Sequence, residues 1–171
     1  ILGVMSMSTF TTLHVIISLI AVGSGLVVLA GMLGSHRLPA WTALFLVTTI
    51  LTSAPGFLFP INGFTPALGT GIASLVVLAI ALIALYAWRL AGRWRWIYVA
   101  TAVAALWFNG FVLVVQAFEK LSLLNPHAPQ VGPPFPDPQN TEFAIAQGVV
   151  LVVLLVLGAV AARKFHPAPT V

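Results

Sequence analysis

The sequence predicts an all-α integral membrane protein, a bundle of five transmembrane helices with the N-terminus outside and the C-terminus inside. Three observations carry that reading. Of 171 residues, 60% are hydrophobic and only 6% charged, which leaves too little polar surface to cover a soluble globule. Five apolar stretches approach or exceed the ~20 residues that a ~30 Å hydrocarbon layer requires of a helix. The basic residues, with Lys120 as the exception, fall where a five-span chain returns to one and the same side.

The whole chain, 1–171, reads as a single membrane domain. The first span covers about 10–33 and is closed by Gly34-Ser35-His36-Arg37-Leu38-Pro39, a C-terminal glycine followed by basic residues and a proline. No Lys or Arg precedes it, the reverse of a secretory leader, so it reads as a spanning helix that enters from outside. The second span, about 40–59, carries Pro55-Gly56 near its end and stops at Pro60. The third, about 67–90, opens with small residues (Gly69, Gly71, Ala73) and closes at Trp88-Arg89. The fourth, about 97–121, is apolar in its first half and carries Asn109, Gln116, Glu119 and Lys120 in its second. The fifth, about 142–162, ends at Arg163-Lys164, with Asn140 or Thr141 as N-cap and Glu142 in the first turn, where the helix dipole favours an anion. The proline-rich loop 122–141 contains Pro126, Pro129, Pro133, Pro134, Pro136 and Pro138, so it is expected to be extended chain lying as a cover across the bundle mouth.

With five spans, Arg37, Arg89, Arg93, Arg95, Arg163 and Lys164 share the inner side. Trp41, Trp88, Trp94, Trp96 and Tyr98 fall at the same boundary, as an interfacial aromatic belt would. The formal charge of +4 is therefore a topology signal, and a nucleic-acid partner is discounted. The chain contains no cysteine, which excludes disulfides and thiolate metal sites.

The polar groups within the spans lie mostly towards the outer end. Thr11, His14, Ser18, Ala21 and Gly25 share one face of span one, expected to face protein. Asn109, Val112, Gln116 and Glu119 share one face of span four, while Lys120 sits about 100° round and can snorkel to the headgroups. Asn109 falls near the bilayer centre, where an unpaired amide costs several kcal/mol in the hydrocarbon limit, so it must meet a helix, water or a ligand. For Asn109 and Gln116 taken singly, helix-to-helix hydrogen bonding is the favoured reading. Thr48, Thr49, Thr52 and Ser53 on span two are of a type that often bonds carbonyls of its own helix, and Gln147 adds an amide to span five. As a set, His14, Ser18, Thr52, Ser53, Asn62, Asn109, Gln116, Glu119 and Gln147 are candidates for an outward-facing ligand pocket, with Glu142 at its rim.

Several chemistries fit poorly. A membrane b-type haem wants two histidines at matched depth, and only His14 lies within a span; His36 and His166 lie inside and His127 in the outer loop. His14, His127 and Glu119 could hold a divalent ion, but no spacing demands it. There is no Gly-rich phosphate loop, HExxH or serine-nucleophile motif, no inverted pair of broken helices, and no ring of polar residues along a whole span such as a channel requires.

The segments TTLHVIISLI, LTSAPGFLFP, GRWRWIYV, FVLVVQAFEKL and PPF with the later FAIAQ together resemble a group of small multi-pass membrane proteins common in proteobacteria and without an assigned activity. The resemblance implies a location in the bacterial inner membrane and transfers no ligand or site. The expected function is non-catalytic: binding of a lipid- or quinone-like small molecule, or service as an accessory subunit of a membrane complex. Membrane lipids, a quinone, other membrane subunits and a second copy of the chain are the partners in view. The rival is a membrane-embedded redox enzyme or a proton or solute pathway using His14 and Glu119.

Overall fold

Glycine and proline set the first helix ends. The computed structural model describes the backbone of residues 7–54, 66–120 and 141–167, and the side chains of 12–54, 68–118 and 141–167. Helix α1 spans Met7–Leu33 and is closed by hydrogen bonds from the Gly34 N–H to the Ala30 carbonyl and from the His36 N–H to the Gly31 carbonyl. The left-handed residue in this closure is Ser35 (φ 59°), one position after the glycine that the sequence offers for it. Helix α2, Pro39–Ser53, starts directly on a proline, whose fixed φ and missing N–H suit the first turn. Helix α3, Pro66–Leu82, runs on into a π-helical turn over Ile83–Ala87. Helices α4, Trp94–Lys120, and α5, Thr141–Lys164, complete the bundle. Among the described residues all regular structure is helical.

Four helices are long and apolar enough to cross a membrane, over 12–33, 68–87, 94–118 and 141–164. Helix α2 is shorter: its 15 residues rise ~22 Å, less than the hydrocarbon layer. The remainder of the expected second span falls in 55–65 and, with Asn62, lies outside the described residues. So do the proline-rich loop up to residue 140, His127, and the side chains of Thr11, Glu119 and Lys120.

Helix α4 is the organising element, packed against α1, α3 and α5. Its Val99, Ala102, Ala105 and Leu106 are buried with Phe45 of α2, Leu78 of α3 and Leu29 of α1. Small residues let the helices approach. A Cβ placed on Gly25 of α1 would lie 2.7 Å from Leu106 Cδ1 and 2.9 Å from the Phe45 ring, and one on Gly158 of α5 would lie 3.0 Å from Val103. Leu19, Val47, Val76 and Val152 are exposed, as apolar side chains facing lipid would be.

The basic ends of the helices meet at one end of the bundle. The His166 N–H donates to Ser35 Oγ at 2.8 Å, which ties the tail after α5 to the α1–α2 turn. Arg37 Nη2 donates to the Arg89 carbonyl at 3.5 Å, joining that turn to the α3–α4 turn. Phe165 packs on Tyr98 with ring centroids 6.1 Å apart. Trp41, Trp88 and Trp96 stay exposed, and Trp88 stacks on Trp94 at 5.0 Å. Tyr98 departs from the expected aromatic belt: it is buried to 3% exposure beneath Phe165.

Candidate functional site

Two polar regions emerge, and they differ in kind. The first lies across the bundle interior. Asn109 Nδ2 donates to Thr49 Oγ1 at 2.9 Å, linking α4 to α2. The Thr52 hydroxyl is 3.5 Å from Asn109 Oδ1 and 3.0 Å from the carbonyl of Thr49, so its single proton favours the nearer oxygen. Ser53 Oγ donates to Ser74 Oγ at 3.1 Å, linking α2 to α3. Gln147 Nε2 donates to the Phe111 carbonyl at 3.1 Å, linking α5 to α4. Three helix pairs in this layer, α2–α4, α2–α3 and α4–α5, are thus each joined by a polar bond.

The candidates named from the sequence divide accordingly. Thr52 and Asn109 come together; Ser53 and Gln147 each bond a different helix. Ser18 donates to the His14 carbonyl at 2.8 Å, so its hydroxyl closes on its own helix, as those of Ser24, Thr48 and Thr101 do. His14 and Gln116 are half-buried on α1 and α4, each with an interaction of its own. Glu142 is exposed at the start of α5, and Glu119 occupies the last turn of α4. Of the partners, Thr49 was read from the sequence only among hydroxyls that often bond their own helix, and Ser74 was not singled out. Two buried polar atoms of this region make no hydrogen bond, Gln147 Oε1 and Trp107 Nε1. Among the described residues no three of His, Cys, Asp and Glu come close enough to hold a metal ion.

The second region is a cleft of about 510 Å³ at the basic end, within the size range of small-molecule sites. Val28 and Met32 of α1 and Tyr98 of α4 form its floor, with Phe165 of the tail beside them. Arg37 and His36 come from the α1–α2 turn, and Pro39 and Thr42 from the first turn of α2. Leu85 and Tyr86 of the π turn and Arg89 and Leu90 of the turn after it supply the remaining wall. Thr42 is hydrogen-bonded to Tyr98, which holds the one polar group of the floor.

The backbone here is unusual in three respects. The π turn carries a Trp88 N–H to Ile83 carbonyl bond of 3.0 Å, and a wider one follows from the Leu90 N–H to the Ala84 carbonyl. Arg89 (φ 46°) and Leu90 (φ 62°) are consecutive left-handed residues without being glycine, at about 1–2 kcal/mol each. Ser35, in the α1–α2 turn, is a third. Local strain and π turns of this type gather at sites where side chains must be aimed. Sequence reasoning used Arg37, Arg89 and Tyr98 for topology alone; their shared place at the inner boundary was the available signal.

No protein-family model matches this chain, and no curated protein or solved structure is detectably similar to it.

Proposed function

We propose that the protein is a non-catalytic, multi-pass membrane protein that binds an amphipathic small molecule in the cleft at the basic end of its bundle. The observation that carries this is the lining: an apolar floor of Val28, Met32 and Phe165 beneath a rim of His36, Arg37 and Arg89, a gradient from hydrocarbon to charge within one cavity. Such a gradient matches a molecule with an apolar body and a polar head. The opposite-end polar face expected from the sequence supports binding less well. Asn109, Thr52, Ser53 and Gln147 already make helix bonds or helix-to-helix bonds there.

By the positive-inside rule the cleft faces the cytoplasm, with α2 as a fifth, short crossing and the inner membrane of a bacterium as the location. The test is native mass spectrometry of the protein released from its own membranes in a mild detergent. A retained small molecule is expected in the wild type, lost in Leu85→Trp and in Val28→Phe, either of which fills the cleft, and kept in Gln147→Leu. A protein that retains nothing, or whose cleft-filling variants retain the same molecule, removes the reading.

A further inference from the structure

The cleft has a side as well as a mouth, and the side lies between α2 and α3. Helix α2 rests chiefly on α1 and touches α3 little. The bond that pins α2 to α3, from Ser53 Oγ to Ser74 Oγ, stands about three turns, ~16 Å, along each helix from Thr42 and Leu85 of the cleft. Between pin and cleft the same two helix faces are closed, since Leu46, Thr49, Leu78 and Ala81 are buried. At the cleft that closure ends. Pro39 and Tyr86 line it from α2 and from the π turn, and both are exposed, Tyr86 to 60%. Ala43 continues the Pro39 edge one turn further and is exposed too. This edge is turned away from α1. Seen down α2, Phe45, which abuts Gly25 of α1, lies ~60° to one side of Thr42, and Ala43 lies ~100° to the other.

We propose that the cleft takes its ligand sideways from the membrane: a bilayer lipid keeps its headgroup at the rim of His36 and Arg89 while one hydrocarbon chain passes between Ala43 and Tyr86 to Met32 and Leu85. This rests on the amphiphile-binding reading above and adds the class of the ligand and its route. The surface around the opening is one that hydrocarbon covers, since Leu44 and Val47 of α2, Ile80 of α3 and Ile83 of the π turn are exposed and apolar. Trp41 and Trp88, also exposed, mark the level where headgroups begin. A chain that enters by this side exchanges one apolar surrounding for another. Entry by the mouth would first expose each methylene to water. The mouth is also spanned, by the contact of Arg37 Nη2 with the Arg89 carbonyl, whereas the side holds no charged residue of the lining.

The experiment places single cysteines in the full chain, Met32→Cys on the floor and Leu85→Cys on the wall, and reconstitutes it in mixed vesicles of phosphatidylethanolamine and phosphatidylglycerol. A tracer phosphatidylethanolamine carries a methanethiosulfonate partway along one acyl chain, and a water-soluble methanethiosulfonate is present on both faces in a parallel sample. Adducts are counted by mass spectrometry. Both cysteines are expected to take the chain-borne label well above Ala81→Cys, which is buried in the core outside the lining. Both should also take the water-soluble label, past His36 and Arg89. Adding Ala43→Trp should abolish the chain-borne labelling and leave the water-soluble labelling, which shows that the cleft is still formed. Adding Leu44→Trp instead, next to it on the lipid-facing surface, should change neither. Cysteines that take the water-soluble label but carry the chain-borne one only at the Ala81→Cys level would overturn entry from the side and leave amphiphile binding standing. Chain-borne labelling that survives Ala43→Trp, or that Leu44→Trp removes equally, would overturn the route. Cysteines that react with neither reagent would mark a closed cleft and end both readings.

Discussion

The amide of Asn109 and the hydroxyl of Thr49 form a buried hydrogen bond of 2.9 Å between α4 and α2, with Thr49 at 0% and Asn109 at 8% exposure. Helix-to-helix bonds of this type contribute ~0.6 kcal/mol on average in membranes and up to ~1.7. Asn109→Leu is expected to lower stability in detergent by about 1–2 kcal/mol, because it also leaves the Thr49 hydroxyl to its own helix. In a double-mutant cycle with Thr49→Val, thermal unfolding should return a coupling of about 0.5–1.5 kcal/mol. Strict additivity would show that the two side chains do not meet.

Gln147 is the contrasting case. Its Nε2 has a partner in the Phe111 carbonyl, but its Oε1 is buried without one. Replacing it with an apolar residue of similar shape removes one modest bond and one orphaned acceptor together. Gln147→Leu should therefore shift stability by less than about 0.5 kcal/mol, well short of the Asn109→Leu effect. A loss as large as that of Asn109→Leu would mean that Gln147 Oε1 has a partner after all.

Gly25 and Gly23 lie two residues apart on α1 and answer opposite steric questions. A Cβ on Gly25 meets Leu106 and Phe45 below 3.0 Å, whereas one on Gly23 meets nothing within 4 Å. Phe45 is a fully buried ring with little room to turn. Gly25→Leu should lower the unfolding midpoint at a cost of about 1–3 kcal/mol, and Gly23→Ala should be neutral or slightly stabilising. Equal midpoints for the two variants would contradict the α1–α4 approach.

Orientation can be read with single cysteines, since the natural chain has none. Ala91 is exposed in the turn between α3 and α4, outside the core. A membrane-impermeant maleimide should label Ala91→Cys from the cytoplasmic face of inverted vesicles and leave it unlabelled in intact spheroplasts. Labelling in spheroplasts would place the basic end outside.

Much of the bundle was legible in the sequence because membrane helices announce themselves by length and hydropathy. The end of α1 at Leu33 and the meeting of the basic turns at one end agree with the expectation. Asn109 could be recognised as a group that needs a partner, yet its partner could not. Thr48, Thr49, Thr52 and Ser53 all offer hydroxyls, and only the rotation of α2 decides which faces α4. The cleft was harder still. It depends on a π turn and on left-handed Arg89 and Leu90, conformations that those residue types do not signal; Gly92, also left-handed, was the only residue nearby to suggest a sharp reversal. Tyr98 was placed among interfacial aromatics because sequence position alone cannot show that Phe165 folds back to cover it.

The bond from His166 to Ser35 joins residues separated by 131 positions, so it also sets an order of events during synthesis. At 5–20 residues per second, the α1–α2 hairpin waits on the order of ten seconds after it emerges for the tail that seals it. During that interval the floor of the cleft has no Phe165, and Val28, Met32 and, once α4 has been made, Tyr98 lack that cover. The residues that follow α5 therefore join the wall of the cleft after the rest of its lining has been made.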